Sequence, residues 1–282
     1  MKQIIFLFFA LFFASCSTDG VKSPKKSPKK LSKVNILDQE HKIIDKLKRE
    51  DGISISWFEK GTGEKLQDGD LVQIDYKVKL SDGTVVDGNH LLKSEKSSLP
   101  FVIGFNMQTV GWDLAFKELR VGDFVKIILP SKLARGENGL KDRNSKVLIP
   151  PNADNLLLVR ILKKETPTRL VDGTKVWLLE GNKTEKLKFN EKTQITFHGI
   201  ASSQSTQFFV NTFRSNQPFS YKLSDYGLVP GLRKALINAK KSDKLYIVVP
   251  PAEAYGSKGY LDFVRPNESL FYSILVMDVT KI

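Results

Sequence analysis

The sequence predicts an α+β protein in which one domain occurs twice, each copy a set of antiparallel strands with a short helix across one face of the sheet. Three observations lead there. The first is an internal duplicate. The stretch "DGISISWFEKGTGEKLQDGDLVQIDY", beginning at Asp51, aligns without a gap on "DGTKVWLLEGNKTEKLKFNEKTQITF", beginning at Asp172. Glu64-Lys65-Leu66 faces Glu185-Lys186-Leu187, Ile74 faces Ile195 and Tyr76 faces Phe197. Farther on, Gly111-Trp112 faces Gly231-Leu232, Pro130 faces Pro250, Ala134 and Gly136 face Ala254 and Gly256, Gly139 faces Gly259, and "IPPN" at 149–152 faces "VRPN" at 264–267. A two-copy repeat of this length is a tandem of whole domains, because solenoid units are shorter and more numerous. The second observation is strand patterning: "LVQIDYKVKL" alternates and ends in Ser81-Asp82-Gly83, a hairpin signal. The apolar runs "FVKIILP" and "KLYIVVP" stop at prolines, and "DNLLLVRIL" and "ESLFYSILVMDV" close the copies. The third is one helix-spaced apolar set per copy. Trp112, Ala115, Phe116 and Leu119 recur at i, i+3, i+4, i+7, as do Leu232, Ala235, Leu236 and Ala239, with Pro230 where a helix can begin.

Ahead of the duplicate the sequence divides into three expected segments. Residues 1–16, "MKQIIFLFFALFFASC", carry Lys2, an apolar run from Ile4 to Phe13 and then small residues before Cys16. The run is too short for a comfortable membrane span, which takes roughly 20 residues, and reads as an export signal. Cys16 is the only cysteine, so an intrachain disulfide is excluded. Its place directly after small residues resembles a bacterial lipobox, which implies a lipidated Cys16 as mature N-terminus. Phe13 departs from the aliphatic residue that pattern prefers. Residues 17–34 hold six lysines between Lys22 and Lys33, interrupted by prolines. Such a stretch buries too little apolar surface to offset its ordering entropy and is expected to be a disordered tether. It supplies a good part of the formal net charge of +13. Strong basicity can signal nucleic acid, but an exported, lipid-anchored protein rarely meets any, and a tether beside an anionic membrane surface accounts for the charge. Residues 35–50 place Ile36, Leu37, Ile43, Ile44 and Leu47 near one helical face and predict a short amphipathic helix, packed on the body or paired with another copy. The two domains are expected over 51–166 and 167–282, divided near the charged stretch around Pro167.

The order of pieces resembles the FKBP-type peptidyl-prolyl cis-trans isomerase family. The resemblance rests on "VQIDYKVKLSDGTVVD", "PFVIGF" followed by "GW", "ILPSKLARG" and "IPPN" in the first copy. In the second it rests on "ITFHGI", "PFSYKLSDYGLVPGL", "VVPPAEAYG" and "RPN". It implies tandem FKBP-like domains, each an antiparallel sheet of five to six strands curled around a short helix, with an apolar pocket between them that accepts a proline side chain. It implies no cofactor and no metal. His41, His90 and His198 are scattered and fit no ligand spacing, and rotation about an amide breaks no bond.

Carried over residue by residue, the resemblance puts the second copy's pocket on Phe197, Phe209, Phe219 and Tyr272, with Leu228 and Val229 as the backbone pair before the helix. Leu232 stands where the family has a tryptophan floor, Val264 precedes the "RPN" turn, and Tyr255 is the loop tyrosine whose hydroxyl donates to a substrate carbonyl. The family's pocket aspartate falls on Val210. In the first copy Tyr76, Asp87, Trp112 and Ile149 match, whereas Val86, Leu99 and Leu157 replace aromatics, Gln108-Thr109 precede the helix, and the loop tyrosine is Arg135. Each aromatic also has an ordinary reading as core, and on its own Asp87 reads as a turn residue and Arg135 as a solvated one. The expectation is an isomerase with the better site in the second copy, acting on proline-containing or unfolded exported polypeptides, with no nucleic-acid partner. It is held in the bacterial envelope, at the outer membrane, by its lipid. A catalytically weak chaperone or scaffold lipoprotein is the other reading.

Overall fold

The computed structural model describes residues 41–89, 98–142 and 144–282. The expected signal with Cys16, the tether over 17–34 and residues 35–40 lie outside the described residues.

The first sheet is built from β1 (Asp45–Lys48), β2 (Ser54–Glu59), β3 (Leu71–Lys79), β4 (Val85–Gly88) and β5 (Leu99–Val102). After helix α1 (Val110–Phe116) come β6 (Phe124–Leu129), the small pair β7 (Leu140–Lys141) and β8 (Val147–Ile149), and β9 (Asn155–Glu165). Its order is β1-β2-β6-β9-β3-β4, with β5 also on β3. The second sheet repeats this with β10 (Arg169–Val171), β11 (Thr174–Glu180), β12 (Thr193–Ser203), β13 (Val210–Asn211), β14 (Phe219–Lys222), β15 (Lys244–Val249) and β16 (Leu270–Lys281). Its order is β10-β11-β15-β16-β12-β13, with β14 on β12. Between them in sequence lie the single turn α2 (Thr212–Ser215) and α3 (Pro230–Leu236). The duplicate in sequence is thus a duplicate in the strand order of the main sheets; the β7–β8 pair is reduced in the second copy to a single bridge, Tyr260 to Val264.

Each sheet has seven strands, against the five to six implied by the resemblance; β1 and β10 are the added edges. Here the amphipathic helix expected over 35–50 is corrected: residues 45–48 form β1, antiparallel to β2, with Leu47 opposite Ile55. Only Leu47 of this strand is turned partly inward, and Asp45, Lys46 and Lys48 stay exposed. A charged rim is how an edge strand avoids further pairing, and the available partner strand decides the conformation over the weak local spacing.

Local chemistry explains the repeated details. At the β3–β4 hairpin, Gly83 takes φ +87°, the Leu80 N–H donates to Thr84 O at 2.9 Å, and Thr84 N–H donates to the Asp82 carboxylate at 2.8 Å. One aspartate braces the turn before each penultimate strand. Asp123 accepts from the Trp57 indole at 3.0 Å, Gly61 N–H at 2.7 Å and Arg120 N–H at 2.9 Å. Its counterpart Asp243 accepts from Asn182 N–H at 3.1 Å and Lys240 N–H at 2.8 Å. Both helices are shorter than the apolar spacing predicts, yet Leu119 and Ala239 beyond their ends remain buried. By Cα proximity Lys65–Gln73 and Pro100–Leu119 group with Lys163–Ile282, and the described residues of 74–99 and 120–162 group with those of 41–64. Among the described residues no helix is long and apolar enough to cross a membrane.

Candidate active site

In the second copy the expected residues converge. Phe197, Val229, Leu232, Val264 and Tyr272 are buried in one cluster, and Phe209, Val210, Leu228 and Tyr255 pack against it half-buried. Phe219 joins through Phe197: the two residues pair in register between β12 and β14, with ring centroids 5.8 Å apart. Phe219 is 43% exposed, so it forms rim rather than floor. A register shift between Thr196 and Phe197 on β12 re-aims the strand at this point, which is what a bulge beside a site does.

The loop carrying Tyr255 is built with care. It lies between the one-turn 3-10 helices Pro251–Glu253 and Gly256–Lys258, with Tyr255 at φ −102°, ψ 0°, in the sparsely used bridge region. Asn267 N–H donates to Gly256 O at 2.8 Å, and Tyr260 N–H to Val264 O at 2.8 Å. Gly259 closes the loop at φ +67°, and a Cβ there would sit 2.4 Å from Val264 O. Hence the spacing between the loop glycines and the "RPN" turn is a packing requirement. The Tyr255 ring stacks on Tyr260, with centroids 4.6 Å apart and planes at 14°. Burial, and then the neighbouring Tyr260, raise the Tyr255 phenol above its ordinary value. Burial, and then Tyr255, raise that of Tyr272. Both hydroxyls therefore stay protonated, as donors, at any physiological pH.

Two aromatic neighbours of these residues were not foreseen. Phe263 stacks on Phe209 at 6.0 Å and 23°, and the Ser203 hydroxyl donates to Phe263 O at 2.9 Å. Tyr260 backs Tyr255 as described. The signal was present: "YLDFV" places two aromatics between Gly259 and the "RPN" turn.

The first copy differs in its polar parts. Tyr76 is buried and the Asp87 carboxylate half-buried. Burial, followed by the charge of Asp87 and the hydrogen bond Tyr76 donates to it, pushes the Tyr76 phenol up. Gly88 N–H also donates to Asp87, at 2.8 Å. Asp87 is therefore no simple turn residue. Nor is Arg135 simply solvated: it is half-buried, burial lowers its pKa, and the Asp87 charge counteracts that. Ile149 is buried with Leu80 and Leu140, and Val86 packs on them. Leu99 on β5 and Leu157 on β9 are buried core residues. Trp112 is buried on α1 and stacks on Phe101 at 5.7 Å and 22°. Thr109 occupies the N-cap position of α1 in an extended conformation without a capping hydrogen bond from its side chain, preceded by half-buried Gln108.

In the second copy Phe197 stands where the first has Tyr76, so no phenol there needs a carboxylate acceptor. Val210 pairs with Ala201 on β12, whereas Asp87 pairs with Val78 on β3; the counterpart of Val78 is Gly199, whose N–H donates to the Thr212 hydroxyl at 2.8 Å. Among the described residues no cluster of three or more His, Cys, Asp or Glu side chains is placed to hold a metal ion.

Comparison with known proteins bears on this geometry. A family model described as FKBP-type peptidyl-prolyl cis-trans isomerase matches residues 62–162 and 185–277. The human protein named peptidyl-prolyl cis-trans isomerase FKBP10 is 24% identical over 238 residues, 84% of this protein and 39% of that protein's length. The Escherichia coli K12 protein named FKBP-type peptidyl-prolyl cis-trans isomerase FkpA is 29% identical over 102 residues, 36% of each. Among solved structures, the three FKBP domains of wheat FKBP73 superpose with a TM-score of 0.40 at 25% identity, over 83% of this protein and 97% of that one. The protein thus spans well under half the length of these sequence relatives.

Proposed function

This protein belongs to the FKBP-type peptidyl-prolyl cis-trans isomerase family, and we propose that its second copy is a working prolyl isomerase site. One observation carries the reading: side chains from β12, the β13 edge, β14, α3 and the two residues before it, the 251–264 loop and β16 gather in or against one buried apolar cluster, with Tyr255 half-buried against it and its phenol kept protonated.

The chemistry fits an apolar pocket. The X–Pro amide isomerises over a barrier of about 20 kcal/mol. Planarity is held by charge-separated resonance, which a dry aromatic wall disfavours. The twisted amide is less polar and is favoured there, so the pocket binds the transition state better than either planar form. Phe197, Phe209, Phe219, Leu232, Val264 and Tyr272 supply the wall. The backbone of Leu228-Val229 and the Tyr255 hydroxyl hold the flanking peptide groups. A thousandfold acceleration requires only about 4 kcal/mol of such preference. The substrates are proline-containing segments of exported polypeptides. We place the protein in a bacterial envelope, at the outer membrane, held there through a lipid on Cys16.

A second reading has its own support. Tyr226 is 95% exposed and Leu261 75%, beside exposed Phe219, Tyr260 and Phe263. Single exposed apolar residues are ordinary, but three of these five touch pocket residues, so the apolar surface continues past the proline site. Such a surface suits holding unfolded polypeptides without turnover.

Exchange NMR on a short X-Pro peptide with the full-length protein separates the two. Catalysed exchange that falls on Tyr255→Phe and Phe209→Ala supports the isomerase. Binding of an unfolded protein with no catalysed exchange supports the holding role and overturns the isomerase reading.

A further inference from the structure

The loop that presents Tyr255 is duplicated in the first copy down to its backbone angles. Arg135 has φ −103°, ψ −7°, against −102° and 0° for Tyr255. Ala134 has φ −109°, ψ −110°, and Ala254 −122° and −117°. Gly136 and Gly256 have φ +56° and +57°. Asn152 N–H donates to Gly136 O at 2.8 Å, matching Asn267 and Gly256. A Cβ on Gly139 would meet Ile149 O at 2.4 Å, as one on Gly259 would meet Val264 O. The first copy therefore holds Arg135 in the frame that aims Tyr255, and only the side chain differs.

The surroundings say where that side chain goes. The loop closes on Leu140 and Ile149, which pair between β7 and β8. Val86 packs on the same cluster, and its neighbour Asp87 acts electrostatically on Arg135. Asp87 in turn accepts from Tyr76 and from Gly88 N–H. Arg135 is thus half-buried on this loop and within the electrostatic reach of Asp87. A guanidinium has five donors in a planar fork, and a bidentate carboxylate engages two of them. A fork of this kind suits two carboxylates, one fixed and one arriving, and it grips a carboxylate more strongly than a neutral carbonyl.

From this we propose that Arg135 makes the first copy a binding site for a peptide carboxylate, either an Asp or Glu side chain beside a proline or the free carboxylate that ends a polypeptide. The neutral donor at Tyr255 has been exchanged for a cationic one in the same frame, so the two copies select different peptides. The inference rests on the first copy keeping a peptide pocket and not on catalysis by either copy. Absence of catalysed exchange would remove the isomerase reading and leave this one standing.

The test is an NMR titration of nitrogen-15-labelled full-length protein with three peptides. Two are blocked at both ends, acetyl-Ala-Glu-Pro-amide and acetyl-Ala-Gln-Pro-amide; the third, acetyl-Ala-Ala-Pro, ends in a free carboxylate. The amides of Gly136, Gly139 and Leu140 should respond to one of the carboxylate peptides at about tenfold lower concentration than to the Gln peptide, with a preference that weakens as salt rises. Whichever carboxylate peptide wins names the source. Arg135→Gln should abolish the preference and Arg135→Lys keep part of it, while unchanged dispersion of the other amides reads out an intact fold. Equal response to all three peptides, or a preference that survives Arg135→Gln, overturns the proposal.

Discussion

The two pockets differ most at three matched positions. In the first copy Tyr76, Asp87 and Arg135 form a hydrogen-bonded, charged group. In the second, Phe197 and Tyr255 stand at the positions of Tyr76 and Arg135, and the position that motif order aligns with Asp87 holds Val210. The sheets around them have the same order, and the loops the same backbone angles. The lesson is that the frame of the site and its polarity are separable. Strand order, loop glycines and the aspartate braces Asp123 and Asp243 are kept in both copies. The second copy has Phe197 in place of the hydrogen-bonding Tyr76, and Tyr255 in place of Arg135 on an unchanged loop frame.

Four changes break or sharpen this comparison. Truncating the most deeply buried wall residue, Phe197→Ala, is expected to cost about 3–5 kcal/mol, seen as a lower denaturant midpoint, and to abolish catalysed exchange. In the first copy, Asp87→Val alone leaves the Tyr76 hydroxyl buried without its acceptor and should cost about 1–3 kcal/mol. Adding Tyr76→Phe should recover much of that loss, since no buried hydroxyl then lacks its acceptor. Denaturant melts of the two singles and the double give the coupling directly, and strict additivity would count against the paired replacement. Tyr255→Phe removes one donor and little packing. Exchange catalysis should fall about tenfold, equivalent to about 1.4 kcal/mol, with the melting midpoint nearly unmoved.

The smallest effect concerns pH. Tyr255 and Tyr272 have phenols raised above the ordinary tyrosine value, so both remain donors where a free tyrosine, near pH 10, would begin to ionise. Catalysed exchange should therefore be flat from neutral pH up to that range. The stability linked to these two groups has the matching sign. A folded pKa above the unfolded one gives stability that is full below about pH 10 and is lost as pH rises beyond it. Catalysis that declines with a midpoint well below 10 would show that some other group controls the site.

Much of this was legible in the residues. The duplicate is gapless through its first stretch, so each copy serves as an internal check on the other, and alternation, hairpin and helix signals agree with one another in both. The nine residues read for the second copy lie in one buried cluster, against it or, for Phe219, on Phe197, because the strand and helix patterns fix which faces turn inward. Three things were not legible, each for a physical reason. Residues 45–48 read as helix because Ile44 and Leu47 satisfy helical spacing; the strand is set by pairing with β2, a contact distant from local propensity. Val210 reads as the counterpart of Asp87 because motif order does not reveal hairpin register: Val210 pairs with Ala201, four residues from Phe197, whereas Asp87 pairs with Val78, two from Tyr76. Arg135 reads as a solvated loop residue because charge usually means exposure; the half-buried carboxylate that attracts it comes from another strand.

The account's central claim is that one loop residue decides what each copy binds. The most direct test exchanges the two residues in the full-length protein and follows cis–trans exchange of a neutral X-Pro peptide by NMR. Tyr255→Arg should remove most of the catalysed exchange, and adding Arg135→Tyr should restore none or only a little, since the wall around Arg135 carries Val86 where the family has an aromatic. Catalysis that persists undiminished in the Tyr255→Arg protein would contradict the claim and move the working site away from the second copy's loop.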